Sequence, residues 1–338
     1  MSDRLEIRPF TPADLPRVVE LARTALGEGS APRTLEYWRW KHLESPFGPS
    51  PGLLAEHEGE LVGMRLFLRW RFRAGGREVA AVRAVDTATH PAWRGRGIFR
   101  RLTQELVAKV SGEGAAFVYN TPNRASRRGY LEMGWTDVAR LPVRVGRPSP
   151  GRLLESLAGA ARSGGAPGTP EGLAPVEGLL AAPELPVLLD GWDRDETRLR
   201  TPRSVAYLRW RYAAAPGLRY HAAWELAAGT GAAVVLRLRN RGRFREAALC
   251  EVLASPGARG TAAARDLIRA ATRAAGAGYA VGVAAGGTAE ARALGRAGFV
   301  RLPLPGRRFT VRTLDPPAAV DPRRWASWRL SLGDLELM

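Results

Sequence analysis

Cysteine is almost missing from this 338-residue chain: Cys250 stands alone, which excludes an intramolecular disulfide and a thiolate metal cluster. Histidine is scarce as well, and His42, His57, His90 and His221 have no metal-ligand spacing, so no metal is expected. Lysine is reduced to Lys41 and Lys109, which leaves arginine to carry nearly all of the positive charge. No apolar run approaches the roughly 20 residues that cross a bilayer. The opening MSDRLEIRPF is charged where a signal peptide needs an apolar core. The expected location is the cytoplasm, with no membrane partner.

What is present is a globular mixture, 45% hydrophobic and 25% charged, long enough for two domains with separate cores. The net charge of +18 invites a nucleic-acid reading. Arginine, however, is dispersed through all predicted elements together with abundant Ala and Gly, as a GC-rich genome writes them. No zinc-finger, helix-turn-helix or RNA-binding signature accompanies it. No nucleic-acid partner is expected, and the charge is better matched to drawing in an anionic cofactor.

The most informative stretch is VDTATHPAWRGRGIFRRL, Val85 to Leu102. A β-type run meets a proline, then an Arg/Gly turn, then an amphipathic helix. Such a turn leaves backbone N–H groups unpartnered at a positive helix end, which suits a phosphate or pyrophosphate. Gly95 and Gly97 permit close approach, and Arg94 and Arg96 add charge. Taken alone, the turn is also compatible with an ordinary β-to-α connection.

Around it the pattern predicts a strand at Leu5–Arg8, a helix ending at Gly27, an aromatic helical segment at Ala31–Gly48 and a strand pair about Glu58–Gly59. There follow a strand at Val79–Thr89, a helix at Ile98–Val110, a strand at Ala115–Asn120, a short helix ending at Gly134 and a last strand at Asp137–Val145. The expected division is a first domain at 1–148, a Gly/Pro/Ala-rich linker at 149–190 and a second domain at 191–338. The linker's flanks, Leu153–Ala160 and Val176–Leu189, are candidate helices.

After the linker the chain repeats itself. APRTLEYWRWKHLESPF and TPRSVAYLRWRYAAAPG share Pro32/Pro202, Arg33/Arg203, Tyr37/Tyr207, Arg39/Arg209, Trp40/Trp210 and Pro46/Pro216, an offset of 207 − 37 = 170. Pro91/Pro256, Arg94/Arg259, Gly95/Gly260 and Leu102/Leu267 coincide at 259 − 94 = 165, and LGRAGF answers YLEMGW at 298 − 134 = 164. Two tandem copies of one α/β unit are expected.

The strand–Pro–x–x–RGRGIF–helix pattern resembles the acetyl-coenzyme A motif of the GCN5-related N-acetyltransferases, the GNAT superfamily. It falls on Arg94, Gly95, Arg96, Gly97 and Ile98, with Phe99 departing at the last place. A second motif of that family fits Asn123, Ser126, Tyr130, Gly134 and Trp135 at every spacing. The resemblance implies two tandem GNAT folds of α/β (α+β) class, each a mixed, mostly antiparallel sheet flanked by helices, of bacterial type. It implies acetyl-CoA, or another acyl-CoA, as co-substrate: pantetheine along Thr87, Ala88 and Thr89, pyrophosphate on the amides of Arg94 to Phe99, and Asn123 holding the loop or the pantetheine. Tyr130 is then the acid that protonates the departing thiolate.

The base is open among a carboxylate, a histidine and a water relay. Asp86 is the leading candidate, ahead of His90. A chain-terminal carboxylate at Met338, as in tandem members resembling the enhanced-intracellular-survival acetyltransferases, comes third. The aromatic segments either wall the acceptor pocket or pack in the core. In the second copy Gly97 becomes Ala262, Ile98 becomes Ala263, Asn123 becomes Gly287 and Tyr130 becomes Leu294, so that copy is expected to be degenerate and non-catalytic. The resulting expectation is an N-acetyltransferase acting directly on a primary amine of a small molecule, as a monomer or homodimer. The rivals are a longer acyl-CoA, an amino-sugar or carrier acceptor, and a non-catalytic acyl-CoA sensor or scaffold.

Overall fold

The computed structural model describes residues 5–26, 32–146, 170–194, 197–227, 230–241, 244–301, 307–316 and 320–335. The first half runs β1 (Glu6–Pro9), α1 (Leu15–Leu26), α2 (Leu35–Leu43), β2 (Gly52–His57), β3 (Glu60–Ala74), β4 (Arg77–Thr89), α3 (Ile98–Gly112), β5 (Phe117–Asn120), α4 (Arg124–Glu132), β6 (Thr136–Arg140) and β7 (Val143–Gly146). The second runs α5 (Val176–Leu180), α6 (Leu185–Trp192), α7 (Val205–Leu208), β8 (His221–Ala227), β9 (Thr230–Arg241), β10 (Phe244–Ala254), α8 (Gly257–Ala274), β11 (Tyr279–Val283), α9 (Ala289–Arg296), β12 (Phe299–Arg301), β13 (Arg308–Thr313) and α10 (Leu332–Leu335).

Local sequence accounts for these elements. Thr11 and Asp14 form a capping box ahead of α1, whose Leu15, Val18, Val19 and Ala22 are buried at helical spacing. Thr34 caps α2 by accepting the Tyr37 N–H at 3.2 Å, and Ser204 does the same for Tyr207 at 3.0 Å in the second half. The β2–β3 hairpin turns on Glu58 (φ 50°) and Gly59 (φ 81°), both left-handed. Gly63 is a contact glycine: a Cβ there would lie 2.6 Å from Ile98 Cγ2, so its absence lets α3 close on the sheet.

The two halves build two sheets of the same kind and exchange a strand between them. The first sheet is ordered β1-β2-β3-β4-β5-β13-β6, and the second β8-β9-β10-β11-β7-β12 from its long strands onward. Along each of these orders, one parallel pair (β4/β5, β10/β11) sits among antiparallel ones. β7 leaves the first half to lie between β11 and β12, while β13 enters between β5 and β6. The single strand expected at Asp137–Val145 is therefore two. Leu141 and Pro142 break it, since Pro142 offers no N–H to a ladder, and the chain changes sheets there. Arg308–Thr313, which the sequence places in the second domain, completes the first half's sheet.

A common core explains why the halves can share strands. One cluster joins α1, α2 and the inner face of the first sheet to α5, α6, α7 and the inner face of the second. The outer faces have their own cores under α3 and α4 and under α8 and α9. The repeated tryptophans meet at the centre. Trp40 Nε1 donates to the Trp210 carbonyl at 2.7 Å, Trp210 Nε1 to the Trp40 carbonyl at 3.1 Å, and the rings stack at 5.2 Å. Such reciprocity is what a two-fold relation between copies produces. The aromatic segments thus pack between the halves. Val176–Leu189 forms α5 and α6, docked on that core, while Leu153–Ala160 lies outside the described residues. Among the described residues no helix is long and apolar enough to cross a membrane.

Candidate active site

The site begins with a disagreement between two strands. β4 and β5 pair only at Ala81↔Phe117, Val82↔Val118 and Arg83↔Tyr119. Beyond Arg83 they part, leaving the β4 backbone from Ala84 to Thr89 without a β5 partner. Backbone groups without a ladder are costly unless a ligand satisfies them. On the other side of β4, a bulge sets Val85 and Asp86 opposite the single Leu66, between the pairs Arg65↔Thr87 and Phe67↔Ala84. The bulge re-aims the carbonyl of Val85 and the side chain of Asp86.

A cleft of about 460 Å³ opens where the strands part, and Asp86, Thr87, Asn123 and Tyr130 line it together. Thr87 donates its hydroxyl to the Met64 carbonyl at 3.2 Å. Ala88 is buried, and Thr89 is half-buried at the end of β4. Asn123 caps α4, its Oδ1 accepting the Ser126 N–H at 2.8 Å and the Ser126 hydroxyl at 2.9 Å. Of the two roles expected for Asn123, holding the loop is the one its side-chain oxygen performs.

The Arg/Gly turn stands outside this cleft, at the start of α3. Gly95 (φ 79°) and Gly97 (φ 76°) are left-handed, and nothing lies within 4 Å of where their Cβ atoms would be. The first intrahelical bond runs from the Arg101 N–H to the Gly97 carbonyl at 3.0 Å, so the N–H groups of Ile98, Phe99 and Arg100 precede it. Open space before free amides at a helix N-terminus fits a phosphate group. Arg94 instead turns back to the Ala25 carbonyl at 2.7 Å, and Arg96 lies over the Trp93 ring at 4.4 Å. The Ile98 side chain is buried beneath the sheet, so it is the backbone of Ile98 that faces the turn. His90 accepts the Ala92 N–H at 3.3 Å and shapes the bend.

Phe99 has a structural reason. Its ring meets Tyr130 edge-on at 5.5 Å, and it lies 3.3 Å from where a Gly129 Cβ would be. It closes one wall around the tyrosine.

Tyr130 is buried, and its oxygen accepts a hydrogen bond from Arg65 at 2.7 Å. No protein acceptor takes its O–H among the described residues. The sequence reading missed Arg65. Its side chain is fully buried, donates to the bulged Val85 carbonyl at 2.8 Å, and stacks its guanidinium over Phe67 and Tyr130 at 4.8 and 5.5 Å. The one signal was an arginine inside the otherwise apolar LVGM-R-LFL run of β3.

Asp86 is engaged by its neighbours: Oδ2 lies 2.8 Å from Lys41 Nζ and 3.0 Å from His42 Nε2. His42 is itself buried, its other ring nitrogen 3.0 Å from Ser50 Oγ. Burial pushes the Asp86 carboxyl up, but the Lys41 charge and the His42 hydrogen bond prevail and hold it well below the usual carboxylate range. A carboxylate so stabilised as an anion takes up a proton less readily than a free one, which weighs against the base role that the sequence suggested. Met338 lies outside the described residues.

Among the described residues, the matching place in the second half is filled. The positions matching Asp86, His42 and Lys41 hold Glu251, Tyr212 and Arg211, at offsets 165 and 170. Tyr212 donates to Glu251 at 2.6 Å, and Arg203 bonds Glu251 at 3.1 Å and Asp334 twice at 2.9 Å. α10 brings Asp334 there and fills the space. A Cβ on Gly333 would collide with Tyr212 and Glu251, and about 20 Å³ is left. The phosphate turn is lost too: α8 starts at Gly257, so Gly260 and Ala262 are helical. Thr288, not Gly287, takes the capping role of Asn123, accepting the Ala291 N–H at 3.2 Å. Cys250 is buried in this half, and burial pushes its thiol up to about 12.

Comparison with known proteins now has something to bear on. The family model of the GNAT acetyltransferase domain matches residues 6–138. The chain carries a GNAT domain. A GCN5-related N-acetyltransferase from Anabaena variabilis superposes with a TM-score of 0.62 at 12% identity, over 92% of this chain and 73% of that one. One from Kribbella flavida gives 0.59 at 16%, over 97% and 80%. Saccharomyces cerevisiae N-myristoyltransferase, solved with bound myristoyl-CoA, gives 0.57 at 14%, over 93% and 81%. At such identities the likeness is one of fold, and the two sheets fit GNAT folds in tandem. Among curated proteins no sequence matches. Residues 6–138 thus resemble a family of acyltransferases that use acyl-CoA, and the cleft at the strand divergence and the amide turn of α3 both lie in that half.

Proposed function

We propose that this protein transfers an acyl group, most simply acetyl, from acyl-CoA to a primary amine of a small molecule, in the cleft of its first half. The second half is a decayed copy that does not catalyse. The observation that carries the reading is Tyr130, whose oxygen is held by Arg65 while its O–H is left for a group in the cleft. That is the state a general acid needs before reaction.

Acyl-CoA supplies the activated thioester. The open amides of Ile98, Phe99 and Arg100 would hold its pyrophosphate, and the unpaired edge from Ala84 to Thr89 its pantetheine. The amine nitrogen forms the new N–C bond as the C–S bond breaks, and the electron pair passes to sulfur. Tyr130 gives sulfur its proton, and the guanidinium of Arg65 steadies the negative oxygen left behind. The proton lost by the amine goes to water in the open cleft, which also restores Tyr130. Asp86 fixes Lys41 and His42 in place and accepts no proton in this scheme.

The test is release of free thiol from acetyl-CoA against a panel of amines. Tyr130→Phe is expected to lose on the order of 10²-fold in kcat, with acetyl-CoA affinity measured by calorimetry kept. Wild-type protein that binds acetyl-CoA yet releases no thiol with any amine would leave the sensor reading in its place.

A further inference from the structure

Two arginines of the second half reach the first half's cleft, one of them beside the exchanged strand. Arg241 ends β9, and Arg307 directly precedes β13, the strand that lies against β5. Both line the cleft that holds Asp86 and Tyr130. Arg307 donates to the Thr121 carbonyl at 3.4 Å, and Arg83, reaching from β4, donates to the Thr121 hydroxyl at 3.4 Å. The guanidinium groups of Arg83 and Arg307 therefore meet on one residue.

Arg83 is itself held by α10, donating to the Asp334 carbonyl at 3.1 Å and to the Leu335 carbonyl. Of the residues lining the cleft, Asp86 is the carboxylate, and it already lies within 2.8 Å of Lys41. Among the described residues, no carboxylate pairs with Arg241 or Arg307. Partial enclosure, then the charges of Arg83 and Arg241, push the Arg307 guanidinium below its ordinary value. Asn120 adds a donor at the same wall: its side-chain oxygen takes the Thr310 hydroxyl, which leaves its NH₂ for the cleft. Arg241 and Arg307, neighbouring cations with no counter-charge among the described residues, repel each other, and an anion relieves that repulsion.

We infer that the acceptor is an amine carrying its own anionic group, a carboxylate or a phosphate, held by Arg241 and Arg307 while its nitrogen faces Tyr130. This rests on the acyltransferase reading and names the substrate class for it. Arginine suits the task because its planar fork matches both oxyanions. The inference also gives the second half a function: without its arginines the first half's cleft lacks this wall.

The experiment compares matched amines: alanine against alaninamide for a carboxylate, and glucosamine 6-phosphate against glucosamine for a phosphate. Thiol release from acetyl-CoA is read with wild type, Arg241→Ala, Arg307→Ala and the double variant. At least one anionic member is expected to exceed its neutral partner about tenfold or more in kcat/KM, the scale of one charge-assisted contact. The double variant is expected to erase that preference while acetyl-CoA affinity stays within twofold. Which pair responds identifies carboxylate or phosphate. Equal or better use of the neutral members, or a preference that survives the double variant, overturns the inference while leaving acyl transfer standing. Should no amine release thiol, acyl transfer fails, and calorimetry of the same pairs on CoA-loaded protein decides the rest. Anion-dependent binding lost in the double variant then upholds this ligand class, and its absence overturns it.

Discussion

Arg65 is a cation with no carboxylate beside it among the described residues, entirely out of water, compensated by one carbonyl, one phenol and aromatic faces. Its Nε–H finds no acceptor among the described residues. Burying such a charge costs several kcal/mol, and replacing it with an apolar side chain of similar length is commonly neutral or stabilising. Arg65→Met is therefore expected to keep or raise Tm while lowering kcat roughly tenfold to a hundredfold; a fall in Tm with unchanged kcat would make Arg65 purely structural. Asp86 yields a prediction with a sign. Its carboxyl is held low in the folded chain, so it binds protons less readily there than when unfolded. The stability it contributes is present above the unfolded value near 3.9 and is lost as pH falls through the folded one. Asp86→Asn should flatten the acid limb of stability below about pH 4. The kcat profile between about pH 5 and 9 should keep its limbs in that variant. A limb that disappears would return Asp86 to the role of base.

At the scale of the element, the two copies show what keeps the turn proposed to bind phosphate open. In the first, left-handed Gly95 and Gly97 hold the chain off the helix until Ile98. In the second, GARGTAAAR offers alanine where Gly97 stood, and the helix runs back to Gly257. Alanine is the best helix former and strained at positive φ, so it favours propagation over the turn. Gly97→Ala meets no steric contact but must carry that strain. A loss of roughly 1–2 kcal/mol in unfolding free energy is expected, together with an acetyl-CoA affinity weakened at least tenfold by calorimetry. Unchanged affinity would place the pyrophosphate elsewhere. The motif's residue types showed this turn in the sequence, and the repeat showed its decay. The extension of α8 was less legible, because the Arg and Gly that it shares with the competent turn are kept while their backbone conformation is not.

For the molecule as a whole, the exchange of β7 and β13 makes each half depend on the other for the interior of its sheet. Unfolding is expected as one cooperative transition in calorimetry. A fragment ending at residue 148 lacks β13 and leaves β5 and β6 with open edges, so it should aggregate; a soluble, folded fragment would show that the exchange is dispensable. Periodicity, caps and turn residues determined by themselves where most strands and helices lie, because those signals are local. Motif spacing likewise determined the places of Tyr130, Asn123 and the α3 turn. Three matters were decided only in three dimensions. The break at Pro142 was written in the sequence, but the destination of β7 depends on which sheet has an open position. Asp86 stood out as a base by its strand position, and Lys41 and His42, 44 or more residues away, are what hold its carboxyl as an anion. Arg65, Arg241 and Arg307 were three among many arginines. Burial sets Arg65 apart and convergence on one cleft the other two, and neither exists until distant segments pack together.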